Sequence, residues 1–132
     1  MDADKDLVGL EEIIYTENGM SESLKIEVRR DITRVNRRYP NDSMAVLAGK
    51  QPREMKTPAE SWDALVSALE EVDIRHLREL KAPTNRRSTD MSLYAQLRIN
   101  LAGTWYGTNS FDHDGPPEQL KKLVGLLRDA RW

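Results

Sequence analysis

SLYAQLRINLAGTWYG, residues Ser92–Gly107, is the stretch on which the fold turns. Leu93, Ala95, Leu97, Ile99 and Leu101 fall on one side of an extended chain, and Tyr94, Gln96, Arg98 and Asn100 on the other. A period of two is the pattern of a strand with one buried face. Ala102-Gly103 reads as a hairpin turn, and the return strand is expected to bury Trp105 and Phe111. A hairpin with one apolar and one polar face predicts an antiparallel sheet covered on one side and wet on the other.

The same alternation recurs upstream, where Leu24, Ile26 and Val28 interleave with Lys25, Glu27 and Arg29. Before it, Ile13-Ile14-Tyr15 runs to Asn18-Gly19, a dipeptide that tolerates the positive φ of hairpin turns. A third strand is expected through Ile32, Val35 and Tyr39, ended by Pro40-Asn41-Asp42. SMAVLAG (43–49) reads as a further short strand, and residues 49–60 as a loop. That loop closes on Thr57-Pro58-Ala59-Glu60, a capping box with proline at the first helical position. Trp62, Leu65, Val66, Leu69 and Val72 then share one helical face. Asp73 is expected to cap a short continuation carrying Ile74, Leu77 and Leu80. A last helix from about Pro116 to Ala130 carries Leu120, Leu123, Val124 and Leu127, with Lys121, Lys122 and Arg128 in solvent. The fold class is α+β: about five antiparallel strands with two helices on one face, in the order β-β-β-α-β-β-α, as one domain over residues 1–132.

Composition narrows the function classes. The 132 residues are 39% hydrophobic and 32% charged, with a net charge of −2, so no global field points to nucleic acid or an acidic membrane. There is no cysteine, which removes disulfides, thiolate catalysis and cysteine-based zinc sites. No secretory signal and no long apolar run is present, so a cytoplasmic location without membrane contact is expected. Residues 1–22 carry seven acids against Lys5 alone, and residues 25–38 carry six bases against Glu27 and Asp31. Adjacent segments of opposite sign suit neighbouring strands.

Chemistry-bearing residues are few. Asp112, His113 and Asp114 could hold a divalent metal or run acid–base chemistry. Neighbours in an extended chain point to opposite faces, however, so His113 stands apart from both acids. A helix lead-in accounts for more residues: Asp114 or Gly115 as cap, Pro116 and Pro117 where no N–H is needed, and Glu118 near the dipole. His76 sits one step off its apolar stripe and reads as exposed. No G-x-S-x-G, Walker loop or G-x-G-x-x-G occurs, so no catalytic residue is assigned and no cofactor is expected. Segment Arg29–Arg38, with Tyr39, Tyr94 and Tyr106 for stacking, is the alternative RNA-binding surface, against which stand the interleaved acids.

APTNRRSTD (Ala82–Asp90) and FDHDGPPEQLKKLVGLL (Phe111–Leu127) resemble a group of small bacterial α+β proteins. These share an Ala-Pro-Thr-Asn-x-Arg-Ser-x-Asp loop, a β-hairpin, Phe-Asp-His, a double proline and a terminal leucine-rich helix. The likeness covers roughly residues 57–127, and Asp114 stands where the group has glycine. It implies that Asn85, Arg87, Ser88, Asp90, Asp112 and His113 lie together around the hairpin, with an Arg87–Asp112 or Asp90–His113 contact. The group carries no assigned activity, so the likeness bears on fold. In type alone, the chain also resembles bacterial toxin-immunity proteins.

The favoured expectation is non-catalytic protein binding, inhibition of a partner such as a toxin being one form of it. Tyr94, Arg98, Arg34, Arg37 and Arg38 are expected to face that partner, because Tyr and Arg are enriched at interfaces. The alternatives are a metal-dependent or acid–base enzyme using Asp90, Asp112 and His113, and RNA binding through Arg29–Arg38.

Overall fold

The computed structural model describes residues 9–19, 23–38, 53–83 and 94–129. The chain runs β1 (Leu10–Asn18), β2 (Ser23–Arg29), β3 (Ile32–Arg38), β4 (Arg53–Lys56), α1 (Ala59–Leu69), a 3₁₀ run (Ile74–Glu79), β5 (Tyr94–Leu101), β6 (Thr104–Gly107), β7 (Phe111–Asp112), a 3₁₀ turn (Glu118–Leu120) and α2 (Lys121–Arg128). The α+β class holds, with a seven-stranded antiparallel sheet among the described residues where about five strands were expected. Its order is β4-β3-β2-β1-β5-β6, with β7 also on β5.

The two additional strands have plain causes. β4 lies in the expected loop and pairs Ile32 with Lys56 and Val35 with Arg53. None of its four residues is buried, so it has no apolar alternation, and backbone pairing to β3 holds it in place. β7 is two residues long and sets Phe111 opposite Ala95. SMAVLAG and Tyr39 lie outside the described residues.

The inward rows of the sheet are Ile13 and Tyr15, Leu24, Ile26 and Val28, and Ala95, Leu97, Ile99 and Leu101. They form one buried cluster with Trp62, Leu65 and Leu69 of α1 and Leu123, Val124 and Leu127 of α2. Both helices therefore cover one face. Each such side chain contributes on the order of 1.5–3 kcal/mol through burial, which is why a sheet with a single covered face is stable.

The caps depart from expectation. Thr57 does not close a capping box: Pro58 is the N-cap of α1 and no side chain bonds there. The Thr57 hydroxyl instead meets Thr33 at 2.7 Å in the core, and its N–H donates to Asp31 O at 3.1 Å. Those bonds fasten the start of α1 to the β2–β3 turn, where the Arg30 guanidinium lies 5.5 Å from the Trp62 ring centre. Asp73 occupies the cap position of the 3₁₀ run, but its carboxylate meets His76 Nδ1 at 2.7 Å. The last helix begins at Lys121, after the 3₁₀ turn, so Asp114 and Gly115 cap nothing. Gly115 bridges back to Asp112, donating its N–H to Asp112 O at 2.9 Å.

A buried polar pin joins the last helix to the central strand. The Tyr15 hydroxyl donates to Glu17 at 2.5 Å, and Arg128 Nε donates to the same carboxylate at 2.8 Å. Arg128 therefore does more than face solvent. Burial, the hydrogen bond to Glu17 and that carboxylate's charge push the Tyr15 phenol well above its ordinary value, against a smaller opposing effect of Arg128.

The β5–β6 turn sets the register of the hairpin. Ala102 and Gly103 both have positive φ, 53° and 86°, the conformation of a two-residue turn between twisted strands. Leu101 then faces Thr104, Asn100 faces Trp105, and Ile99 faces Tyr106. Tyr106 packs against the core and Trp105 lies on the opposite face, reversing the expectation for Trp105. Between β6 and β7, Thr108 bonds Leu97 twice: its N–H donates to Leu97 O at 2.9 Å, and Leu97 N–H donates to its Oγ1 at 3.0 Å.

Candidate functional site

The face without helices is assembled by register. One row reads Glu54, Arg34, Glu27, Ile14, Arg98 and Gly107 across β4, β3, β2, β1, β5 and β6. A second reads Asn36, Lys25, Thr16 and Gln96. A third links Arg29, Glu12, Asn100 and Trp105, with Ile32 on β3 in the same face as Arg34. Ile14 sits in register between Glu27 and Arg98 and is buried there.

The large hydrophobic side chains exposed among the described residues are Ile32 at 39%, Tyr94 at 41% and Trp105 at 45%, and all three lie on this face. An apolar residue exposed singly needs no explanation, but three sharing the uncovered face of one sheet form a directional surface.

The charges on the face divide into two halves. Toward β4, three cations have a carboxylate: Arg34 bonds Glu54 through Nε at 2.8 Å and through a second nitrogen, Arg29 meets Glu12 at 3.5 Å, and Lys25 meets Glu27 at 3.7 Å. Two shallow clefts run between these pairs, one lined by Glu12, Glu27, Arg29, Ile32 and Arg34, the other by Lys25, Glu27, Arg34, Asn36 and Glu54. Exposed ion pairs contribute only about 0–1 kcal/mol to stability, so their main effect is to neutralise the arginines locally. Toward β6, the Arg98 guanidinium lies 5.7 Å from the Trp105 ring centre. Gly107 makes room for this: a Cβ there would come within 3.2 Å of Arg98 Cγ.

The expected partner-binding residues separate. Tyr94, Arg98 and Arg34 share the uncovered face. Arg37 pairs with Leu24, whose side chain is in the core, so it lies on the helix side of the sheet. Consecutive strand residues alternate between faces, and a run of arginines cannot present as one surface. Arg38 pairs with Ser23 at the end of β3. Ile32 and Trp105 belong to the face and were not among the expected residues.

Asp112 is 1% exposed and lies opposite Tyr94, and its neighbour His113 is half-buried. Asp90, Asn85, Arg87 and Ser88 lie outside the described residues. Among the described residues no three His, Asp or Glu side chains gather as a metal site would require. No helix among them is long and apolar enough to cross a membrane. Comparison of the chain with protein-family models, with curated proteins and with solved structures gives no match.

Proposed function

We propose that this chain is a non-catalytic protein-binding module that docks its partner on the uncovered sheet face, as an inhibitor of the immunity type does. The observation that carries the reading is the gathering of Ile32, Tyr94 and Trp105 on that face beside Arg34 and Arg98. Aromatic residues and arginine concentrate at interface cores and hot spots. The paired Arg29, Arg34 and Lys25 favour a protein over RNA, because Glu12, Glu54 and Glu27 would repel phosphates beside them.

The test is affinity capture of the tagged chain from lysate of its source organism, with nuclease present. A stoichiometric partner is expected that is lost on Trp105→Ala with Ile32→Ser and kept by Lys122→Glu on the helix side. Adding the chain to an activity assay of that partner then reads inhibition. A partner indifferent to the double variant would sink the assignment of this face.

A further inference from the structure

The half of the uncovered face around β5 and β6 is built from hydrogen-bond donors. Tyr94, Gln96, Arg98 and Asn100 project from β5, with Asn18, Thr16 and Ile14 opposite them on β1. The acids among the described residues in this neighbourhood are Glu12, which already holds Arg29, and Asp112, which is buried opposite Tyr94. Asn100 Oδ1 accepts the Gly103 N–H at 3.0 Å, which leaves the amide nitrogen of Asn100 as its outward group. Among the described residues no carboxylate meets Arg98, whose cross-strand neighbours are Ile14 and Gly107. Its guanidinium carbon lies over the Trp105 ring, 5.7 Å from the ring centre, and the side chain is exposed to solvent.

We propose that Arg98, laid on Trp105, is the anchor for an aspartate or glutamate carboxylate of an acidic segment on the partner protein. The inference rests on the binding function above and adds the chemistry of the partner. Charge complementarity supports it: among the described residues Arg98 has no acid of its own and stands among neutral donors and two exposed aromatic rings, while Glu12 is taken up by Arg29 and Asp112 is buried. A planar carboxylate matches the guanidinium fork through two parallel bonds. A phosphate backbone would call for several free cations along its track, and Arg29, Arg34 and Lys25 are neutralised where they stand. Stacking on the indole also limits the rotamers that Arg98 must give up on binding.

The test titrates the ¹⁵N-labelled chain with poly-L-glutamate while following Arg98 Nε–H and the Trp105 indole N–H by NMR. Both signals are expected to move together. R98Q should weaken the interaction about tenfold, and R98K, which keeps charge without the fork, by less. Tripolyphosphate and oligo-dT at equal charge should fail to displace the polymer. Arg98 is exposed, so circular dichroism of R98Q should match the parent and separate binding from folding. Unmoved signals, unchanged binding by R98Q, or displacement by either phosphate competitor would each overturn the carboxylate anchor. A captured partner lost on Trp105→Ala but kept by R98Q would also overturn it while leaving the face standing. A partner indifferent to both variants would remove the face itself.

Discussion

Replacing Tyr15 with phenylalanine tests the buried pin between the central strand and the last helix. The ring is fully buried and its hydroxyl donates to an ionised partner, Glu17, at 2.5 Å. Hydrogen bonds to charged groups contribute about 1.5–3 kcal/mol, so Tyr15→Phe should cost about 2 kcal/mol at pH 7. For a domain of this size that corresponds to roughly 6–10 °C in Tm. The variant should also change the alkaline behaviour. The folded-state pKa of Tyr15 is raised, so the folded chain holds this proton more tightly than the unfolded chain. Its contribution is therefore complete below the ordinary phenol value near 10 and is lost as pH rises above it, at about 1.4 kcal/mol per pH unit. Urea unfolding between pH 7 and 12, followed by circular dichroism, should show that slope in the parent and a shallower one in the variant. Absorbance at 295 nm should show one of the four tyrosines ionising only on unfolding. Equal midpoints at pH 7 with equal alkaline slopes would refute the pin.

Thr33→Val should cost about 1–3 kcal/mol, because the buried Thr57 hydroxyl loses its partner, and adding Thr57→Val should recover part of it in a double-mutant cycle of urea midpoints. Ala102→Asn should raise Tm, since asparagine tolerates the positive φ that costs alanine about 1 kcal/mol; a lower Tm would contradict the turn geometry. Gly103→Ala should lower stability by about 1 kcal/mol for the same reason in reverse, read by thermal unfolding. Calorimetry with zinc, manganese, magnesium and calcium should give no saturable heat, and a stoichiometric heat abolished by His113→Ala would restore the metal reading.

The strands with two-residue alternation were legible because burial on one face writes itself into the sequence. Leu97, Ile99 and Leu101 had one reading, and β5 follows it. Arg53–Lys56 had no such signal: a strand whose side chains stay out of the core is selected by its neighbour's backbone, which composition does not encode. Trp105 shows that an aromatic ring in a strand is not buried by default. The turn held the better information, since two residues between the strands force Thr104 opposite Leu101 and put Trp105 with Asn100. The same rule of alternation separates Arg37 from Arg34. The lead-in at Asp112–Glu118 matched a capping pattern, but pairing of Phe111 with Ala95 and the bridge from Asp112 to Gly115 delay the helix to Lys121.

Thr108 has a consequence for how the chain behaves at high concentration. The outer side of β5 is served by β6 at one end and β7 at the other, and the break between them would leave Leu97 as a free rung. By answering both the N–H and the C=O of Leu97, Thr108 plugs that rung from within the same chain. A foreign strand finds no vacancy there on which to begin templated growth, the route by which open sheet edges lead to fibrils. One threonine, through its hydroxyl and its own N–H together, thus closes the rung at the place where the hairpin leaves the sheet.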